Sequence, residues 1–120
     1  MKLTTAYAVS RFAFGAAFLA APGPAGRLLS GEGGTTPDAQ AFLRGMGGRE
    51  VGLGLGMLAA ERTGASTKPW LLAGVLFDTG DVTGIAGAWN GLPADKRAPG
   101  IAFAGAAALA GLVLLARQGG

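Results

Sequence analysis

Four long apolar stretches alternate with short polar connections along the chain. They cover residues 3–21, 37–60, 69–90 and 99–116. Each is similar in length to the roughly 20-residue helix that crosses a lipid bilayer. The connections are rich in Gly, Pro, Ser, Thr or charged residues, which is typical of turns. The pattern therefore predicts a single integral membrane domain over residues 1–120, an all-α bundle of four transmembrane helices.

Local signals predict where several of these helices begin. Thr36 is a good N-cap, Pro37 suits the first helical position, and the negative charge of Asp38 favours the positive end of the helix dipole. Pro69 predicts the start of the third helix, and Pro99 predicts the start of the fourth. These signals predict where the second, third and fourth spans begin.

The first and third spans carry further markers. The run Pro22–Pro24 predicts that the first helix ends there, and residues 25–30 then suit a short interfacial turn. Trp70 and Trp89 stand 19 residues apart, which corresponds to about 28 Å of helix. Because tryptophan favours both membrane interfaces, this spacing supports a membrane-spanning third helix.

The composition narrows the class of protein and its location. Only 14% of residues are charged, whereas a soluble domain has about 25%. The chain has no Cys and no His, which excludes a disulfide scaffold, the usual zinc site and a His-based catalytic triad. Basic residues are scattered, so a nucleic-acid partner is not expected. Their distribution predicts a multi-pass protein of the cell membrane with cytoplasmic termini.

Six charged side chains fall inside the apolar stretches. They are Arg11, Arg44, Arg49, Glu50, Asp78 and Asp81. Each costs about 2.5–3.5 kcal/mol at the bilayer centre if it is unpaired, and three are positive and three negative, so internal pairing is expected. The alternating helix directions predict that Arg44 pairs with Asp81. The other two arginines are expected to share the other two carboxylates.

Small residues accompany these charges at helical spacing. Tyr7, Arg11 and Gly15 form one stripe on the first span. Glycines repeat every four residues over residues 48–56 and again at residues 80–84. Such repeats predict close approach of membrane helices, or space for a ligand beside the charges.

Two polar motifs inside the apolar stretches support a family resemblance. They read Arg44-x-x-Gly47-x-Arg49-Glu50 and Asp78-x-x-Asp81. The pattern resembles a family of small four-helix bacterial membrane proteins of unknown function, common in actinobacteria, and more distantly the DoxX-like proteins. The resemblance extends from Arg11 to about Asn90. It implies a four-helix fold and a membrane location, and no particular chemistry.

We interpret the charged cluster as a polar pocket within the membrane for a lipophilic small molecule. The candidate catalytic residues are the three carboxylates, Asp78, Asp81 and Glu50. The candidate ligand-binding residues are Arg49, Arg44, Arg11 and Tyr7, which suit an anionic or carbonyl oxygen. An acid and a base in such a pocket suffice for an isomerisation, a cyclisation or an epoxide opening without a cofactor.

No metal or organic cofactor is predicted. Asp78 and Asp81 together could ligate Mg²⁺, but three arginines nearby disfavour a cation. The alternating glycines of residues 52–56 lie within a span and follow no strand, so they do not indicate dinucleotide binding.

Three other interpretations remain open. One is a small transporter or channel for an anionic or proton-coupled substrate, which would need a homo-oligomer because one four-helix bundle is small. Another is an accessory subunit of a membrane complex, with its glycine faces against partner helices. In the third, the charges serve only to fix the register of the helices.

Overall fold

The computed structural model describes residues 2–119, and every regular element in that range is helical. The five α-helices are α1 (Leu3–Ala20), α2 (Pro22–Ser30), α3 (Pro37–Thr63), α4 (Lys68–Gly87) and α5 (Ala94–Gly119). Two 3-10 helices, Gly31–Thr35 and Trp89–Gly91, precede α3 and follow α4. The prediction of an all-α fold is confirmed. The helices fall into two compact units, one ending at Ala65 and the next beginning at Ser66.

The start of α3 follows the predicted local chemistry, and its end extends beyond the predicted Ala60 to Thr63. The Thr36 hydroxyl oxygen accepts a hydrogen bond from the backbone N–H of Ala39 at 3.2 Å, and Pro37 occupies the first turn. At the other end Gly64 has a φ of +74°. That left-handed conformation suits glycine, and the Gly64 N–H donates to the carbonyl of Glu61.

The segment after α1 is more helical than the sequence pattern predicts. Instead of an irregular break at Pro22–Pro24, a nine-residue helix begins at Pro22. Proline is compatible with the first turn of a helix, because the N–H that it lacks would have no partner inside the helix. The prolines therefore end α1 and also begin α2.

The helices α4 and α5 have different ends from the third and fourth predicted spans. Pro69 lies in the first turn of α4 as predicted, but α4 ends at Gly87, and Trp89 belongs to the following turn. The fourth helix begins at Ala94, so Pro99 lies inside α5 and is not its first residue. The missing N–H of one proline costs a single backbone hydrogen bond, and Asp95 favours the preceding turn through the helix dipole.

Two of the described helices are long and apolar enough to cross a membrane. They are Leu3–Ala20 and the part of α5 from Ala94 to Gln118. The charged residues of α3 and the two aspartates of α4 make these helices less apolar. Length and composition therefore single out two of the four predicted spans.

Each unit is built around one pair of long helices. In the first unit α1 packs against α3, and the buried apolar residues include Ala8, Leu53 and Met57. In the second unit α4 packs against α5, and Leu71 and Leu114 are buried. We call α1 with α3 the first helix pair and α4 with α5 the second helix pair.

Candidate functional site

A buried ion pair joins the two helices of the first pair. Arg11 of α1 places its Nε 2.8 Å from Oε2 of Glu50 on α3. Its second terminal nitrogen donates to Oε1 of the same carboxylate at 2.9 Å. Both side chains are only 6% exposed. The predicted contact between Arg11 and Glu50 is therefore present, with two nitrogens facing two oxygens.

Glycines bring the two helices close enough for this contact. A methyl group on Gly15 would lie 2.5 Å from the carbonyl oxygen of Gly47, and one on Gly54 would lie 2.7 Å from that of Ala8. Because a side chain at either position would strike backbone atoms, only glycine permits this approach. Gly47 and Gly54 lie three residues before and four residues after Glu50, so they share its helix face.

Tyr7 also contacts Arg11. It precedes Arg11 by one helical turn, and its hydroxyl oxygen accepts a hydrogen bond from Arg11 at 2.8 Å. The guanidinium carbon also lies 5.3 Å from the centre of the Tyr7 ring, within the range of a cation–π contact. Arg11 therefore contacts both Glu50 and Tyr7.

Arg49 is the accessible member of this group. Its Nε lies 3.9 Å from Oε1 of Glu50, and its side chain is 34% exposed. Tyr7 is also partly exposed, whereas Arg11 and Glu50 are buried. We define the polar centre as Tyr7, Arg11, Arg49 and Glu50. Although the Arg49 side chain is partly exposed, its Nε and one terminal nitrogen are buried.

The remaining predicted site residues are described within their own units. Arg44 is exposed on α3, so the structure does not place it with the buried charges of its own unit. On α4, Asp78 is buried at 5% exposure and Asp81 is partly exposed. The predicted pairs that include these aspartates join residues of different units, and they stay predictions.

Gly48 and Gly52, two glycines of the repeat predicted to mediate close packing, do not do so. A methyl group on Gly48 or Gly52 would meet no atom within 4 Å, and the same holds for Gly80 and Gly84. The face of α3 that approaches α1 is offset by one residue from the predicted repeat. The buried position of Glu50 is the signal that identifies this face, because Gly47 and Gly54 share its register.

A second polar contact between α1 and α3 has no counterpart among the predictions. The Thr5 hydroxyl donates to Oε2 of Glu61 at 2.5 Å, near the start of α1 and the end of α3. The sequence pattern places Glu61 in a connection, because the apolar stretch ends at Ala60. The last turn of α3 extends beyond that stretch and brings the carboxylate to Thr5.

The polar centre contains guanidinium and phenol groups, which can donate hydrogen bonds to anionic and carbonyl oxygen atoms. Among residues 2–119, no group of three or more carboxylates gathers as metal ligands would. Comparison of the chain with protein-family models, curated proteins and solved structures found no match.

Proposed function

We propose that the chain is a multi-pass membrane protein in which α1, α3, α4 and α5 cross the bilayer. The hydropathy of α1 and α5 supports this. The 20 residues of α4 correspond to about 30 Å of helix, close to the thickness of the hydrocarbon core. The four helices also expose large apolar side chains, among them Leu3 at 60%, Phe42 at 81%, Leu76 at 63% and Leu109 at 63%. Lipid is a suitable environment for such surfaces.

Within this membrane protein, we propose that the polar centre binds the polar end of a lipophilic small molecule. The observation that carries the proposal is the burial of Arg11 and Glu50, each 6% exposed, between α1 and α3. Apolar residues of similar volume would hold α1 on α3 without the cost of desolvating two charges. Ionisable residues inside a membrane protein are therefore functional candidates.

The geometry suggests the chemical class of the ligand. Tyr7 and Arg49 are the partly exposed members of the polar centre, and both suit a carbonyl or anionic oxygen. The rest of the ligand would be apolar, to match the side chains that surround the helices. The same groups can polarise a carbonyl. Isomerisation, cyclisation and epoxide opening are therefore the reactions to assay once the ligand is identified.

A structural role is the second candidate, and one observation favours it. Arg11 and Glu50 contact each other directly, at a point where glycines allow the two helices to approach closely. Such a pair can fix the register of α1 against α3 without binding anything, as an accessory subunit would require. This role predicts that no small molecule depends on the polar centre.

Ligand analysis of the purified full chain tests the proposed function. The protein is extracted from washed membranes into lipid nanodiscs, and small molecules bound to it are identified by mass spectrometry. Tyr7→Phe and Arg49→Gln are expected to lower the amount of bound lipophile about tenfold or more, because each removes a donor to the ligand. Arg62→Gln makes the same charge change as Arg49→Gln, at an exposed position in the last turn of α3, and is expected to retain the ligand.

Two results would overturn the proposal. If alkaline carbonate releases the protein from membranes, it is not an integral membrane protein. If all three variants remain monodisperse and carry the same small molecules as the unaltered protein, the polar centre does not bind them. The structural role would then be the better account.

A further inference from the structure

The first turn of α5, just after the connection from α4, holds an arginine in a fixed position. Nε of Arg97 donates to the backbone carbonyl of Leu92 at 3.1 Å. The guanidinium carbon lies 5.7 Å from the centre of the Trp89 ring, and Trp89 itself is 37% exposed. The carbonyl and the indole together orient the guanidinium before any ligand arrives.

The fixed arginine retains hydrogen-bonding capacity. Its two terminal nitrogens donate to no residue in the part of the chain that the structure describes. Nearby, Lys96 Nζ lies 3.9 Å from Oδ2 of Asp95, so its charge is partly balanced. Since Asp95 offsets one of the two cations, Arg97 supplies the excess positive charge of this turn. A planar donor group with one excess charge suits a phosphate oxygen.

We propose that Trp89 and Arg97 bind the phosphate of an anionic phospholipid at the membrane surface. The inference rests on the proposed membrane location, and its residues are separate from the polar centre. This turn follows the connection between two helices that we propose to cross the bilayer, which places it at headgroup level. Tryptophan favours that level, and a basic residue there attracts anionic lipid.

Quenching of Trp89 fluorescence by lipids with brominated acyl chains tests this inference. The chain has two tryptophans, so Trp70→Phe leaves Trp89 as the only tryptophan reporter. The full chain is reconstituted into vesicles that mix phosphatidylglycerol and phosphatidylcholine, with one of the two lipids brominated. We expect phosphatidylglycerol to be preferred near Trp89 about fivefold, the effect of one basic residue at a membrane surface.

Two variants of the Trp70→Phe protein distinguish binding by Arg97 from the effect of any positive charge in this segment. Arg97→Gln is expected to remove the preference for phosphatidylglycerol. Lys96→Gln removes an equal charge from the same turn, but from a side chain beside Asp95, and is expected to keep more than half of the preference. An unchanged preference in Arg97→Gln, or no preference in the Trp70→Phe protein, would overturn the inference.

Two further outcomes identify the source of a failure. If inorganic phosphate in excess over lipid abolishes the preference, the turn binds a soluble anion and the lipid assignment is wrong. If the protein does not insert into the vesicles at all, the proposed membrane location fails together with this inference. Insertion without headgroup preference contradicts this inference alone.

Discussion

The two helix pairs differ in the contacts that hold their helices together. In the first pair, glycines on α1 and α3 allow backbone-to-backbone contact, and a buried arginine and glutamate meet beside it. In the second pair, the atom nearest to a methyl group on Gly100 of α5 would be the Cδ1 of Ile85, at 3.2 Å. The contact of α1 with α3 is rigid and polar at these glycines, whereas the contact at Gly100 is made with a flexible side-chain tip.

This difference indicates that the first helix pair has a role beyond packing. Apolar side chains contribute to the contact of α4 with α5, where Leu71 and Leu114 are buried, and Asp78 of α4 is buried as well. The first pair buries an arginine and a glutamate that contact each other, which is costly. A function for Arg11 and Glu50 explains why the contact between α1 and α3 retains them. The comparison predicts that the two pairs respond differently to matched substitutions.

The largest expected effect is that of Glu50→Gln. The change removes the negative charge that lies 2.8 Å from buried Arg11, and removing one partner of a buried ion pair costs about 3–5 kcal/mol. Unfolding of the reconstituted protein by denaturing detergent measures the loss. Glu32→Gln is the matched control, because Glu32 lies 3.3 Å from Arg27 with side chains 83% and 63% exposed. It is expected to cost at most about 1 kcal/mol, and equal losses would contradict the special role of the buried pair.

An intermediate effect is expected from placing alanine at the glycine contacts. Gly15→Ala puts a methyl group against backbone atoms of α3 and is expected to destabilise the first pair by about 1–3 kcal/mol. Gly100→Ala is the matched change in the second pair. There the Ile85 tip can move aside, and the better helix propensity of alanine offsets the crowding. If the order of the two stabilities is reversed, the contrast between a rigid and a yielding contact is wrong.

The smallest expected effect concerns the hydrogen bond that links the start of α4 to the end of α5. The hydroxyl of Thr67, which is 8% exposed, donates to Oε1 of Gln118 at 2.7 Å. Thr67→Val keeps the shape and removes the donor, so we expect a loss of about 1 kcal/mol in the same unfolding assay. A loss as large as that of Glu50→Gln would show that polar contacts matter equally in both pairs.

Helix starts were predictable where their chemistry is local. Thr36 and Pro37 act within one turn, so their roles follow from neighbouring residues. Pro22 and Pro99 show the limit of this reasoning. A proline is compatible with a break, a first turn or a tolerated interior position, and neighbouring residues decide among these.

The candidate site was predictable in its chemistry and less so in its geometry. The positions of Arg11 and Glu50 in the predicted spans gave them the same expected depth in the membrane, and the structure places them in contact. Arg44 differs, because its side chain is exposed although it lies within the apolar stretch. The rotation of α3 decides which arginine faces α1. That rotation follows from the Gly47 and Gly54 contacts, which a count of glycine repeats did not reveal.

The most direct test of the central claim replaces both members of the buried pair together. Arg11→Met with Glu50→Met removes the charges and keeps an apolar volume, which is often neutral or stabilising for a buried pair. We predict that this double variant folds about as stably as the unaltered protein and loses the bound lipophile. A stable double variant that retains the ligand, or one that does not fold, would contradict the claim that this pair serves binding.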